Sequence, residues 1–93
     1  MIQVDAISQR IRRFVVERFP LARTRDISYD EPLLGSGIVD SLGVLELIAF
    51  LEQEFQVTVQ DEELVPQNFQ SLECIAALVR SKRHSASARE SEE

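Results

Sequence analysis

Apolar residues recur at helical spacing in three stretches of this chain, separated by one long aperiodic segment and one short polar one. In the first stretch Ile7, Ile11, Phe14, Val15 and Phe19 fall three and four apart, which places them on one face of a helix over residues 3–19. Arg10, Arg12, Arg13 and Arg18 lie mainly off that face, and Pro20, which has no N–H to donate, ends the run. Residues 21–40 show no period. A structureless loop of that length would count against a compact domain. Here Ile27, Tyr29, Leu33, Leu34, Ile38 and Val39 give it apolar anchors for lying across a bundle.

The second helix is expected from Ser41 to about Phe55. Val44, Leu47, Ile48, Leu51 and Phe55 form one stripe wide enough to face a core. Leu42, Leu45 and Ala49 form a second apolar strip beside it, with Glu46 on one flank and Glu52 on the other; Gln53 and Glu54 lie beyond Glu46. Phe50 falls at an exposed angle for so large a ring. Residues 56–59 are β-like but too isolated to pair in a sheet, and Asp61 can cap a short helical turn over residues 62–65 that Pro66 and Asn68 close. Ser71 is a good N-cap for the last helix, Leu72 to about Lys82, with Leu72, Ile75, Ala76, Leu78 and Val79 inward, Phe69 as a staple, and Arg80, Lys82 and Arg83 at its C-terminal end. The result is an all-α fold, a small four-helix bundle of three main helices, one short helix and a long first loop. Residues 1–83 form the domain; 84–93, lacking any large apolar residue, read as a flexible tail.

Charge changes the picture more than composition does. The 93 residues suffice for one domain, and 44% hydrophobic content with 28% charge is that of a globular chain. Residues 1–25 carry a net +4, residues 26–79 a net −11 with no Lys or Arg at all, and residues 80–93 a net +1. A cation-free stretch of that length steers basic partners and repels nucleic acid, although it also serves plain solubility. No apolar run approaches the ~20 residues that span a bilayer, and the N-terminus lacks a secretory pattern, so membrane insertion is not expected and the cytoplasm is. The single cysteine, Cys74, lies in an apolar helical run and reads as a structural thiol.

The chemistry-bearing feature is Asp40-Ser41-Leu42, at the head of the second helix. If Asp40 is the N-cap, its carboxylate takes a free N–H of the first turn and leaves the Ser41 hydroxyl unengaged at a site whose helix dipole favours an attached anion. The alternative is that Ser41 itself caps the helix. Likewise, the strip of Leu42, Leu45 and Ala49 is either covered by another helix or is a docking surface with an apolar centre and an acidic rim.

The segment from Gly37 to Phe55, with Asp40-Ser41-Leu42 inside it, resembles the acyl carrier protein family. The resemblance implies that Ser41 carries a 4′-phosphopantetheine arm, with Asp40 as helix cap and motif residue. It implies loading from coenzyme A by a Mg²⁺-dependent phosphopantetheinyl transferase, and an acyl or aminoacyl group held as a thioester. Partner enzymes would follow: a loading ligase, then a transferase or synthase with basic docking patches, meeting Leu42, Leu45, Glu46, Ala49, Glu52 and Gln53 of a monomeric carrier. Gly43 departs from the Asp that many fatty-acid carriers have after the motif; it is expected to weaken the helix start by up to ~1 kcal/mol relative to Ala. The stretch from Asp61 to Ser71 looks more like discrete carriers of small acyl or aminoacyl groups, D-alanyl carriers among them. Enzymatic activity is not expected: no Gly-x-Ser-x-Gly elbow surrounds Ser41, His84 is the only histidine, Glu62 and Glu63 read as solvated charge, and no metal-ligand spacing occurs. The competing reading is a helical interaction module whose Ser41 is never modified.

Overall fold

The computed structural model describes residues 5–92, with side chains through Arg83. Helix α1 spans Ala6–Arg18, α2 Pro20–Arg25, α3 Ser41–Phe55 and α4 Leu72–Glu92, with two 3-10 turns at Asp61–Glu63 and Pro66–Phe69. Among the described residues there is no strand, as the bundle reading expected.

Helix α1 starts where Asp5 accepts from the Ser8 N–H at 3.0 Å while the Ser8 hydroxyl accepts from the Asp5 N–H at 2.9 Å, a reciprocal capping box. The expected start at Gln3 lies outside the described residues. Pro20 does end α1, but it also opens α2, which the sequence reading left inside the loop. Proline at a first helical position forfeits no hydrogen bond, and a helix this short, with Ala22 as its one buried residue, is too brief to show a period. Asp26, at φ 49°, closes α2 in the left-handed region. Its carboxylate meets Arg12 at 3.0 Å, and the Arg12 Nε–H donates to the Ile27 carbonyl at 3.1 Å, so α1 holds the end of α2 in place.

The loop that follows is anchored as expected. Ile27, Leu33, Ile38 and Val39 are buried, and Tyr29 and Leu34 half-buried. Backbone bonds fix it over the head of α4: Leu33 N–H to the Gln70 carbonyl at 2.8 Å, and Glu73 N–H to the Tyr29 carbonyl at 2.9 Å. The central core joins Ile11 and Val15 of α1, Leu47, Leu51 and Phe55 of α3, and Leu72, Ile75 and Val79 of α4.

Four further expectations change. The short turn is a 3-10 turn over Asp61–Glu63 with Gln60, not Asp61, at its N-cap, and the Glu63 Oε1 reaches back to accept from the Gln60 N–H at 2.8 Å. Glu63 is therefore not solvated charge. It also pairs with Lys82 of α4, and that hydrogen bond, with the one from Gln60, holds its carboxyl below the usual range. Helix α4 runs beyond Lys82 to Glu92, because no Gly or Pro interrupts it and Ala, Arg and Glu favour helix. Phe50 is covered by Phe14, stacked on it at a centroid distance of 4.2 Å and 11° between planes.

Candidate functional site

Ser41 is the first residue of α3, and Asp40 is its N-cap. The Asp40 Oδ1 accepts from the Gly43 N–H at 2.7 Å, and the Asp40 carbonyl accepts from the Val44 N–H at 2.9 Å. Among the described residues nothing bonds the Ser41 hydroxyl, and the N–H groups of Ser41 and Leu42 have no acceptor. One exposed hydroxyl thus stands beside two unpaired backbone donors at the positive end of a helix dipole. The alternative, Ser41 as cap, is not what forms.

Gly43 explains the cap geometry and has a packing role that the sequence did not show. A Cβ at this position would lie 2.6 Å from the Phe19 Cε1 and 3.1 Å from the Asp40 Oδ1. Phe19 is itself buried and meets Phe14 edge-on. Gly43 therefore lets the junction of α1 and α2 close on the head of α3. It is a packing requirement there, beyond any loss of helix propensity or of charge.

Beside Ser41 lies an open groove of about 260 Å³, lined by Ser41, Val44, Leu34, Leu64, Val65, Pro66 and Phe69. Leu64 and Val65 are exposed, and sequence reasoning missed them; two bulky apolar residues before Pro66 in an otherwise polar turn were the available signal. On the other side, Leu42 and Leu45 keep 69% and 60% of their surface in water, and Ala49 is also exposed. No helix covers the second apolar strip among the described residues.

The acidic rim is altered by tertiary contacts. Glu46 pairs with Arg18 of α1, and Glu54 with Arg10 at 3.0 Å. Glu52 accepts from the Val59 N–H at 3.0 Å, holding the segment after α3. Gln53 is exposed. Arginines from the cationic N-terminal stretch thus lie against the helix whose sequence surroundings lack cations. Exposed pairs of this kind contribute about 0–1 kcal/mol each to stability, whereas burying one leucine side chain contributes about 1.5–3 kcal/mol.

Comparison with known proteins finds matches in family, sequence and fold. The model of the phosphopantetheine attachment site family matches residues 9–80. The D-alanyl carrier protein of Streptococcus pyogenes serotype M5 (strain Manfredo) is 33% identical over 76 residues, 80% of this chain and 96% of that one. A probable acyl carrier protein, PigG of Serratia sp. (strain ATCC 39006), is 41% identical over 54 residues, 57% of this chain, and the match spans only 62% of that relative's length. Among solved structures, KstB-PCP in its apo form superposes with a TM-score of 0.63 at 39% identity, covering 80% of this chain and 81% of that one. A chain in the crystal structure of an FAD-dependent dehydrogenase superposes with a TM-score of 0.67 at 29% identity, covering 74% and 97%.

Proposed function

We propose a function from one premise: the chain belongs to the phosphopantetheine attachment family of carrier proteins. It is a carrier that holds an acyl or aminoacyl group as a thioester on a covalent 4′-phosphopantetheine arm and presents it to biosynthetic enzymes. Carriers of this family work with a phosphopantetheinyl transferase and with the enzymes that load and use the cargo. When attached, the arm supplies the terminal thiol that carries that cargo.

The attachment residue in this reading is Ser41. What supports it is the free hydroxyl that Asp40 leaves by capping α3 through Gly43. The N–H groups of Ser41 and Leu42 are the donors available to a phosphodiester there. Residues 1–83 serve as the carrier unit. Leu42, Leu45 and Ala49 form the docking strip with Gln53 at its edge, while Glu46 and Glu52 are held by Arg18 and by Val59. The chain itself carries out no catalytic step; its contribution is the raised effective concentration of the cargo at each enzyme it visits. Among the described residues no helix is long and apolar enough to cross a membrane. In this reading the carrier acts in the cytoplasm as a monomer.

Mass spectrometry after incubation with coenzyme A and a broad-specificity transferase tests the attachment. The wild-type chain gains one phosphopantetheinyl group and Ser41→Ala gains none. A wild-type chain left unmodified while a control carrier is loaded in parallel would sink the reading.

A further inference from the structure

We propose that Lys82, which does not line the groove beside Ser41, is a positioning residue for the reaction there: its ion pair with Glu63 holds the Leu64–Val65 wall of that groove in place. The inference rests on the carrier reading of Ser41. From Gln60 to Asn68 no residue is buried. Leu64 and Val65 keep 43% and 37% of their surface in water, so burial does not fix the wall. Among the described residues, Lys82 of α4 is the one side chain outside this stretch that hydrogen-bonds to it. The next attachments lie just beyond its ends: the Glu52 carboxylate accepting from the Val59 N–H at 3.0 Å, and the buried ring of Phe69.

Within the stretch Glu63 is the hub. Its Oε1 accepts from the Gln60 N–H and from the Lys82 ammonium, and its carbonyl accepts from the Asn68 Nδ2 at 2.8 Å. The pair is largely withdrawn from water, and a charge-assisted bond of this kind is stronger than a neutral one. A segment with few buried apolar contacts opens locally at little cost, and here the resistance to opening is concentrated in one bond. The consequence reaches Ser41 because Leu64 and Val65 form the far side of the groove that its hydroxyl borders. A transferase closing on Ser41 meets that wall already ordered. With the pair broken, the wall must be ordered at each encounter, which weakens association and leaves the bond-forming step alone.

Lys82→Met, which keeps the apolar stem and loses the donor, and Lys82→Arg, which keeps the charge, test this in the intact chain. The readouts are amide hydrogen exchange by NMR and the kinetics of loading by a broad-specificity transferase with coenzyme A. In Lys82→Met the Gln60 and Leu64 N–H groups are expected to exchange about tenfold faster, with Leu47 and Leu51 of α3 unchanged. The KM for the carrier should rise about fivefold at an unchanged kcat. Lys82→Arg should stay within about twofold of wild type in both. Wild-type exchange at Gln60 and Leu64 in Lys82→Met, or an unchanged KM, overturns the proposal. So does exchange that rises equally at Leu47 and Leu51, which would assign Lys82 to overall stability alone. A wild-type chain that is never loaded removes the carrier reading itself, an outcome distinct from a loaded chain whose KM ignores Lys82.

Discussion

Two serines stand at the heads of two helices in this molecule, and they do different work. Ser71 precedes α4, is 6% exposed, and its hydroxyl accepts from the Cys74 N–H at 3.2 Å. Ser41 opens α3, is exposed, and its hydroxyl has no protein partner among the described residues. The residue before each serine decides the outcome. Asp40 takes the capping role at α3 and pushes Ser41 one position into the helix, whereas Gln70 does not cap and Ser71 must. A serine at a helix start becomes available for modification when its neighbour relieves it of the cap.

The comparison can be broken most severely at Gly43. Ala gains up to ~1 kcal/mol of helix propensity over Gly, but its Cβ would overlap the Phe19 ring, and overpacking of that kind costs about 1–3 kcal/mol. Gly43→Ala is therefore expected to lower the unfolding free energy in urea and to slow loading of Ser41, because Phe19 and Asp40 must both move. An unchanged denaturation midpoint would contradict the close packing seen here.

Removing either cap sharpens the contrast. Asp40→Ala and Ser71→Ala each lose one side-chain bond to a first-turn N–H, about 1 kcal/mol apiece. Their effects on loading should diverge: Asp40→Ala frees the α3 head to rearrange and slows modification, while Ser71→Ala leaves the loading rate near wild type. Equal effects on loading would show that the α3 cap has no special bearing on Ser41.

Acid gives the smallest effect and acts on the α4 side. The hydrogen bond from Arg80 and then that from the Ser8 N–H hold the Asp5 carboxyl well below its ordinary 3.8. Lys82 and the Gln60 N–H lower Glu63 from 4.5. Groups whose carboxyls are held low in the folded state contribute stability above their ordinary values and lose it as pH falls through the lower folded ones. The thermal midpoint should thus be level from neutrality to about pH 5 and decline below about pH 4.5, and Glu63→Gln should flatten part of that decline. An identical acid profile in Glu63→Gln would mean that its pair with Lys82 contributes nothing to the folded state.

Much of the fold was legible because helices announce themselves by local period. The stripes on α1, α3 and α4 are one-dimensional patterns, and Asp40 and Ser71 as caps follow from side-chain chemistry within three residues. Helix α2 was not legible, since six residues with a single buried alanine carry no period. The start of the Asp61–Glu63 turn lies one residue earlier than the sequence suggests, because Asp61 suits a cap and a first turn equally, and only the backbone path puts Gln60 at the cap with Glu63 reaching back to it. Of the site, spacing placed Asp40 and Ser41 at a helix head and Leu42, Leu45 and Ala49 on one strip, and the resemblance to carrier proteins supplied their roles. Leu64 and Val65 could not be joined to it, because they arrive from a separate turn.

The sequence by itself determined a helical bundle, an Asp40-Ser41 pair at the head of α3 with either residue able to cap it, and a second apolar strip on α3 beside its core stripe. Those are properties of neighbours within a few residues. The tertiary structure alone decided what surrounds them. Arg18 reaches Glu46 across 28 residues and Arg10 reaches Glu54 across 44, so a segment without cations acquires them by folding. Phe19 fills the space that makes Gly43 necessary, and Phe14 covers Phe50. Coulomb attraction and close packing depend on distance through space, which spacing along the chain does not record.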